Sequence, residues 1–168
     1  MMACHIIVMG VSGCGKTTVG KALAKRLGYP WHDGDNYHPA ANIEKMRQGT
    51  PLTDADRQGW LETLNRVLLS EEKGAVLACS ALKPEYRKIL SQGVNKPVFV
   101  YLRGSFSVIW GRYKNRKKHF FQGKEMLKSQ FATLVEPEGD NVITVSVTLR
   151  TKSIVEIVCH SLQSGVKS

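Results

Sequence analysis

Apolar residues are distributed along the chain in two alternating ways. The runs Ala75 to Cys79 and Pro97 to Leu102 are nearly continuous, as in strands covered on both faces of a parallel sheet, and His5 to Met9 is a β-branched run of the same kind. Val142 to Val147 predicts a further strand, and a short extended piece ends in Asp33-Gly34-Asp35. Between these lie segments with helical spacing. Thr17 to Leu27 places Val19, Ala22, Leu23 and Leu27 on one face and stops at Gly28. Pro39 opens a helix through Met46, with Gly49 and Pro51 punctuating the turn after it. Thr53 followed by Asp56 predicts a capping box, and the helix behind it carries Trp60, Leu61, Leu64 and Leu68 on one face. A last helix spans about 151–163. Strands alternating with helices predict an α/β layer fold around a five-stranded, mainly parallel sheet.

A length of 168 residues fits one domain, 1–168. No apolar run reaches the roughly 18–20 residues that cross a bilayer, and the N-terminal run lacks a basic flank, which argues against membrane insertion and secretion. Cys4, Cys14, Cys79 and Cys159 show neither C-x-x-C pairing nor metal spacing, and read as reduced thiols of a cytoplasmic protein.

Charge changes the picture only after it is divided. The net charge is +10, which by itself invites a nucleic-acid partner. Residues 103–128, however, hold 8 basic and 1 acidic group, so +7 of the +10 sits in 26 residues. A patch so confined fits a small polyanion better than a strand of nucleic acid, and no nucleic-acid partner is expected.

The strongest local signal is Gly10-Val11-Ser12-Gly13-Cys14-Gly15-Lys16-Thr17, a G-x-x-x-x-G-K-[ST] loop placed after a strand and before a helix. Its glycines let backbone N–H groups turn toward phosphate oxygens, and the helix N-terminus adds partial positive charge. Residues 10–18, through Thr18, are the candidate ATP cradle. Lys16 supplies a cation for the β- and γ-phosphates, and the Thr17 hydroxyl can ligate Mg²⁺. Asp33 and Asp35 stand two apart at the end of the second strand, where alternation sends both carboxylates to one side of the sheet's carboxyl edge. One of them can hold the metal through water while the other orients and deprotonates an attacking hydroxyl.

Four stretches then carry a resemblance: D-G-D-N-Y-H-P-A-A-N-I-E-K-M (33–46), G-T-P-L-T-D-A-D-R-Q-G-W-L (49–61), C-S-A-L-K-P-E-Y-R (79–87), and H-F-F (119–121) with M-L-K-S-Q-F-A-T-L-V-E-P (126–137). From about Ile7 to Pro137 the chain resembles the thermoresistant type of gluconokinase, a P-loop small-molecule kinase. The resemblance implies a fold like that of nucleoside monophosphate and shikimate kinases, with a mobile lid. It also implies ATP- and Mg²⁺-dependent phosphorylation of the D-gluconate 6-hydroxyl, giving 6-phospho-D-gluconate and ADP. It assigns Asp33 toward Mg²⁺ and Asp35 toward the acceptor hydroxyl, and it brings a homodimer into view. The competing readings are a shikimate- or nucleotide-kinase-like enzyme and, from charge alone, a nucleic-acid-binding ATPase.

A linear polyhydroxy acid needs a cation for its carboxylate and several donors for its hydroxyls. His38, Arg57, Lys83 and Arg87 are the candidate contacts, with Trp60 assigned to core packing. Arg112 and Arg116 are four apart in the basic stretch, and the fold resemblance makes residues 112–124 an approximate lid whose arginines stabilise the transferring phosphoryl group. Four positions depart from the family pattern: Cys14 where Ser is more frequent, Lys118 for Gly, Lys88 for Asp and Gly59 for Pro. Cys14 would put a reactive thiol beside phosphate.

Overall fold

The computed structural model describes residues 3–114 and 120–165. Its elements run β1 (His5–Met9), α1 (Lys16–Leu27), β2 (Trp31–Asp33), a 3₁₀ helix (Gly34–Tyr37), α2 (Ala40–Arg47), α3 (Asp54–Ser70) and β3 (Ala75–Ala78). These are followed by α4 (Pro84–Ser91), β4 (Pro97–Arg103), α5 (Phe106–Lys114), α6 (Phe120–Thr133), β5 (Val142–Ser146) and α7 (Thr151–Gln163). The five strands form one parallel sheet in the order β2-β3-β1-β4-β5.

All five residues of β1 are buried, because the central strand is covered twice. On one face Ile6, Val8, Val76, Val100 and Val145 pack with Val19 and Leu23 of α1 and Ile154 and Val158 of α7. On the other, Ile7, Met9, Leu77 and Phe99 meet Leu61, Leu64 and Leu68 of α3 and Leu90 of α4. Successive β1 side chains thus enter opposite cores, which is why the strand reads as an unbroken apolar run.

The chain leaves β1 for α1 and β2 on one side of the sheet, and later returns on the other side through β4. The carboxyl end of β1 is therefore the switch point at which open α/β sheets bind ligands. The expected capping box is present: the Thr53 hydroxyl accepts the Asp56 N–H at 3.1 Å and the Asp56 carboxylate accepts the Thr53 N–H at 2.9 Å. Pro39 serves as the residue before α2 rather than its first turn.

Candidate active site

The phosphate loop grows out of β1 as the sequence requires. Gly15 adopts the left-handed conformation just before α1, whose first turn holds no acidic residue to offset its positive N-terminal potential. Lys16 Nζ curls back and donates to the carbonyls of Gly10 and Val11, at 2.9 Å each. Gly13, at φ +81°, lies under Tyr113 of α5, and a Cβ there would stand 3.1 Å from that ring. Gly10 N–H donates to the Ser80 carbonyl at 3.2 Å, tying the loop to the chain leaving β3. The Cys14 thiol is buried, and burial pushes its pKa up against the opposing pull of Lys16. A buried neutral thiol is unreactive, which corrects the expectation drawn from the Cys14 departure.

The acidic pair is built differently from the expectation. β2 ends at Asp33, and Asp35 belongs to the 3₁₀ helix, so strand alternation does not set their relation. Asp33 caps that helix: its Oδ1 accepts the Asp35 N–H at 3.0 Å. The turn is pinned from beneath. Gly34 presses so closely on β3 that a Cβ would lie 2.4 Å from the Ala78 carbonyl, and the Gly34 carbonyl accepts the Trp60 indole N–H at 2.8 Å. Trp60 is core, as expected, but it is also the post on which the Asp33–Asp35 turn stands.

Trp60 also carries His38, whose ring stacks on the indole at 4.1 Å with a 16° tilt. Asn42, buried on α2, fixes that imidazole. Its Nδ2 donates to the Asp56 carbonyl at 2.9 Å, so it is a nitrogen, and the same atom faces His38 Nδ1 at 3.3 Å. Nδ1 is thus the acceptor and Nε2 carries the proton. Burial, with help from Arg57, holds the His38 pKa below its usual value against Asp35. The neutral ring therefore presents an Nε2–H donor from the face of Trp60.

Arg57, in the first turns of α3, donates to the Leu52 carbonyl at 2.8 Å and the Tyr86 hydroxyl at 3.2 Å. Lys83 Nζ meets both oxygens of Asp54, at 3.1 and 3.2 Å, and lies 5.5 Å from the centre of the Tyr86 ring. Tyr86 also donates to Asp54 Oδ1, and these partners hold the Asp54 carboxyl below its ordinary pKa. Arg87 does not join this cluster. It is only 9% exposed and its guanidinium donates to the carbonyls of Ala81, at 2.7 Å, and Val135, at 3.0 Å. The expected substrate contact gives way to a scaffolding placement, because a buried guanidinium must spend its donors on whatever acceptors surround it.

Tyr86, Asn42 and Gln130 have no role that the sequence alone assigns, although all three sit inside the motifs that carry the resemblance. Their signal is that membership alone, since nothing in local spacing sets them apart from their polar neighbours.

Cys79 lies at the strand end where these parts meet. The Cys79 thiol, just beyond β3, has its pKa pushed up to about 12 by burial; Lys16 and Arg57 pull against that shift and Asp35 adds to it. The phosphate loop, through the Gly10 N–H on the Ser80 carbonyl, and the acidic turn, through Gly34 against the Ala78 carbonyl, are both fastened at the carboxyl end of β3. Arg112 is exposed near the end of α5, while Arg116 lies outside the described residues, as does the centre of the expected lid at 112–124. Among the described residues no group of three or more His, Cys, Asp or Glu side chains could by itself hold a metal. The Thr17 hydroxyl and the Asp33 carboxylate are hard oxygen donors, a set that suits Mg²⁺, which keeps waters and shares its shell with phosphate.

A phosphate loop at the sheet's switch point, with an acidic turn at the end of β2 on the far side of β3, defines a P-loop phosphotransferase. Known proteins narrow the class. The shikimate kinase family model matches residues 12–161. The thermoresistant gluconokinase of Escherichia coli is 41% identical over 96% of this chain and 95% of its own length. The gluconokinase of Gluconobacter oxydans is 44% identical over 95% of this chain and 91% of its own. A crystal structure of a gluconokinase from Sinorhizobium meliloti superposes with a TM-score of 0.89 at 39% identity, covering 98% of this chain and 94% of the other. The chain belongs to the gluconokinase family, within the shikimate kinase group of P-loop kinases.

Proposed function

We propose that this protein transfers the terminal phosphoryl group of ATP to the 6-hydroxyl of D-gluconate, giving 6-phospho-D-gluconate and ADP. The meeting of the phosphate loop and the Asp33–Asp35 turn at the carboxyl end of β3 carries the reading, because it brings a phosphate cradle and a base to one strand end.

In this mechanism Lys16 and those N–H groups of residues 10–18 that are not bonded within the protein hold the triphosphate, and Thr17 with Asp33 would hold Mg²⁺, which when bound offsets phosphate charge. Asp35 accepts the 6-hydroxyl proton and aims its oxygen at the γ-phosphorus. Positioning contributes as much as basicity, so an Asp on a turn pinned by Trp60 and Ala78 is well suited. His38 donates from Nε2 to a substrate hydroxyl, and Arg57 and Lys83 take the carboxylate. Arg87 acts one step back, holding the Ala81 carbonyl ahead of Lys83. Arg112 and Arg116 stabilise charge on the transferring group from the lid.

Among the described residues no helix is long and apolar enough to cross a membrane. The four cysteines are free thiols, which supports a reducing, cytoplasmic setting for the enzyme. The deciding experiment is ADP release coupled to a spectrophotometric readout across gluconate, shikimate and nucleoside monophosphates. Turnover with gluconate is expected; its absence, or a preference for shikimate or a nucleotide, overturns the reading.

A further inference from the structure

Gln130 lies on α6, in the M-L-K-S-Q-F run to which the site described above gives no part. Its carboxamide grips Ser12, the third residue of the phosphate loop, at two points. Oε1 accepts the Ser12 backbone N–H at 2.7 Å, and Nε2 donates to Ser12 Oγ at 2.9 Å. Chemistry settles the orientation of the amide, since a backbone N–H can only donate and must face the oxygen.

This grip has two consequences. The Ser12 N–H is used within the protein, so it is not free to enter the phosphate cradle. The Ser12 hydroxyl, having accepted from Gln130, keeps one proton to donate, and among the described residues no acceptor takes it. Lys16 Nζ rests on the carbonyls of Gly10 and Val11, the two residues immediately before Ser12. The hydroxyl therefore sits at the end of the loop where that lysine serves the β- and γ-phosphates.

We propose that Gln130 is a positioning residue for the nucleotide: it withdraws the Ser12 N–H and turns the Ser12 hydroxyl into a donor for the terminal phosphate. Helix α6 is thereby coupled to the transferring group through a residue 118 positions away in sequence. The proposal rests on residues 10–18 being the ATP cradle.

The test is calorimetric titration, with Mg²⁺, of ADP and of the non-hydrolysable imido analogue of ATP. Ser12→Ala removes the donor while keeping the N–H contact to Gln130; Gln130→Met removes both contacts with little change in bulk. Each variant should weaken the triphosphate analogue about tenfold, as for a lost hydrogen bond to a charged group, and leave ADP nearly unchanged. In the double variant the second change should add little, because both act through one hydroxyl. Equal losses for ADP and the analogue, no loss in either, or full additivity would overturn the proposal. If Gln130→Met lowers the melting temperature so far that it cannot be titrated, Ser12→Ala decides the matter alone. A wild-type protein that binds neither nucleotide would overturn the cradle itself, and the inference with it.

Discussion

The two halves of the site are made in opposite ways. The donor half is one contiguous stretch, Gly10 to Thr17, whose strand, turn and helix start are written in neighbouring residues. The acceptor half is gathered from β2, the 3₁₀ helix, α2, α3 and the segment entering α4. Its polar groups are held through long-range contacts such as Trp60 to Gly34 and Arg57 to Tyr86. A phosphate is recognised by a backbone shape, which local sequence can specify. A polyhydroxy acid is recognised by side chains from several directions, which only packing can assemble. Damage to the donor half should therefore be direct and chemical, whereas damage to the acceptor half should spread through its supports.

The sharpest test of that contrast is Lys16→Ala, expected to lower kcat/KM by about 10³-fold, since it removes the one mobile cation of the cradle. Asp35→Asn comes next, with turnover falling by about 10²-fold or more while ATP binding, measured by calorimetry, stays within a few fold. A large loss of ATP affinity in Asp35→Asn would mean that the halves are not separable. Arg57→Ala should raise KM for gluconate by about tenfold or more with a smaller effect on kcat, as for a lost ion-paired hydrogen bond.

Trp60→Phe keeps the ring under His38 but strips the donor from the Gly34 carbonyl. It should cost about 1–3 kcal/mol in urea unfolding and also slow turnover, because the turn bearing Asp35 loses its post. The smallest effect belongs to the capping box that starts α3, where Thr53→Ala should cost about 1 kcal/mol. That box is also pH-sensitive: Lys45, and then the Thr53 N–H, hold the Asp56 carboxyl at about 2, below its ordinary 3.8. A depressed folded-state pKa means that the contribution is complete above about pH 4 and fades as pH falls toward 2. Unfolding midpoints measured across that window should drop less in Asp56→Asn than in the wild type.

Legibility in the sequence follows the same divide. The strands, the helix positions and the capping box are visible because each depends on periodicity or on residues three apart. The Asp33–Asp35 pair was legible as chemistry but not as geometry. Alternation places both on a strand, whereas the close contact of Gly34 with Ala78 ends β2 at Asp33 and bends Asp35 into a 3₁₀ turn. Arg87 misleads for a related reason: a motif arginine looks like an anion ligand until its neighbours are known. Its carbonyl partners, Ala81 and Val135, lie on segments that meet only in the folded chain.

By itself, then, the amino-acid sequence determined the α/β layering, the phosphate loop and the family, because these rest on local spacing and on which residue types can line a phosphate. The tertiary structure alone decided the tautomer of His38, the post beneath the acidic turn, the withdrawal of Arg87 and the hold of Gln130 on Ser12. Each of these is a hydrogen bond or stack between residues remote in sequence or across a turn, and its existence depends on how two surfaces are brought together, which no local pattern records.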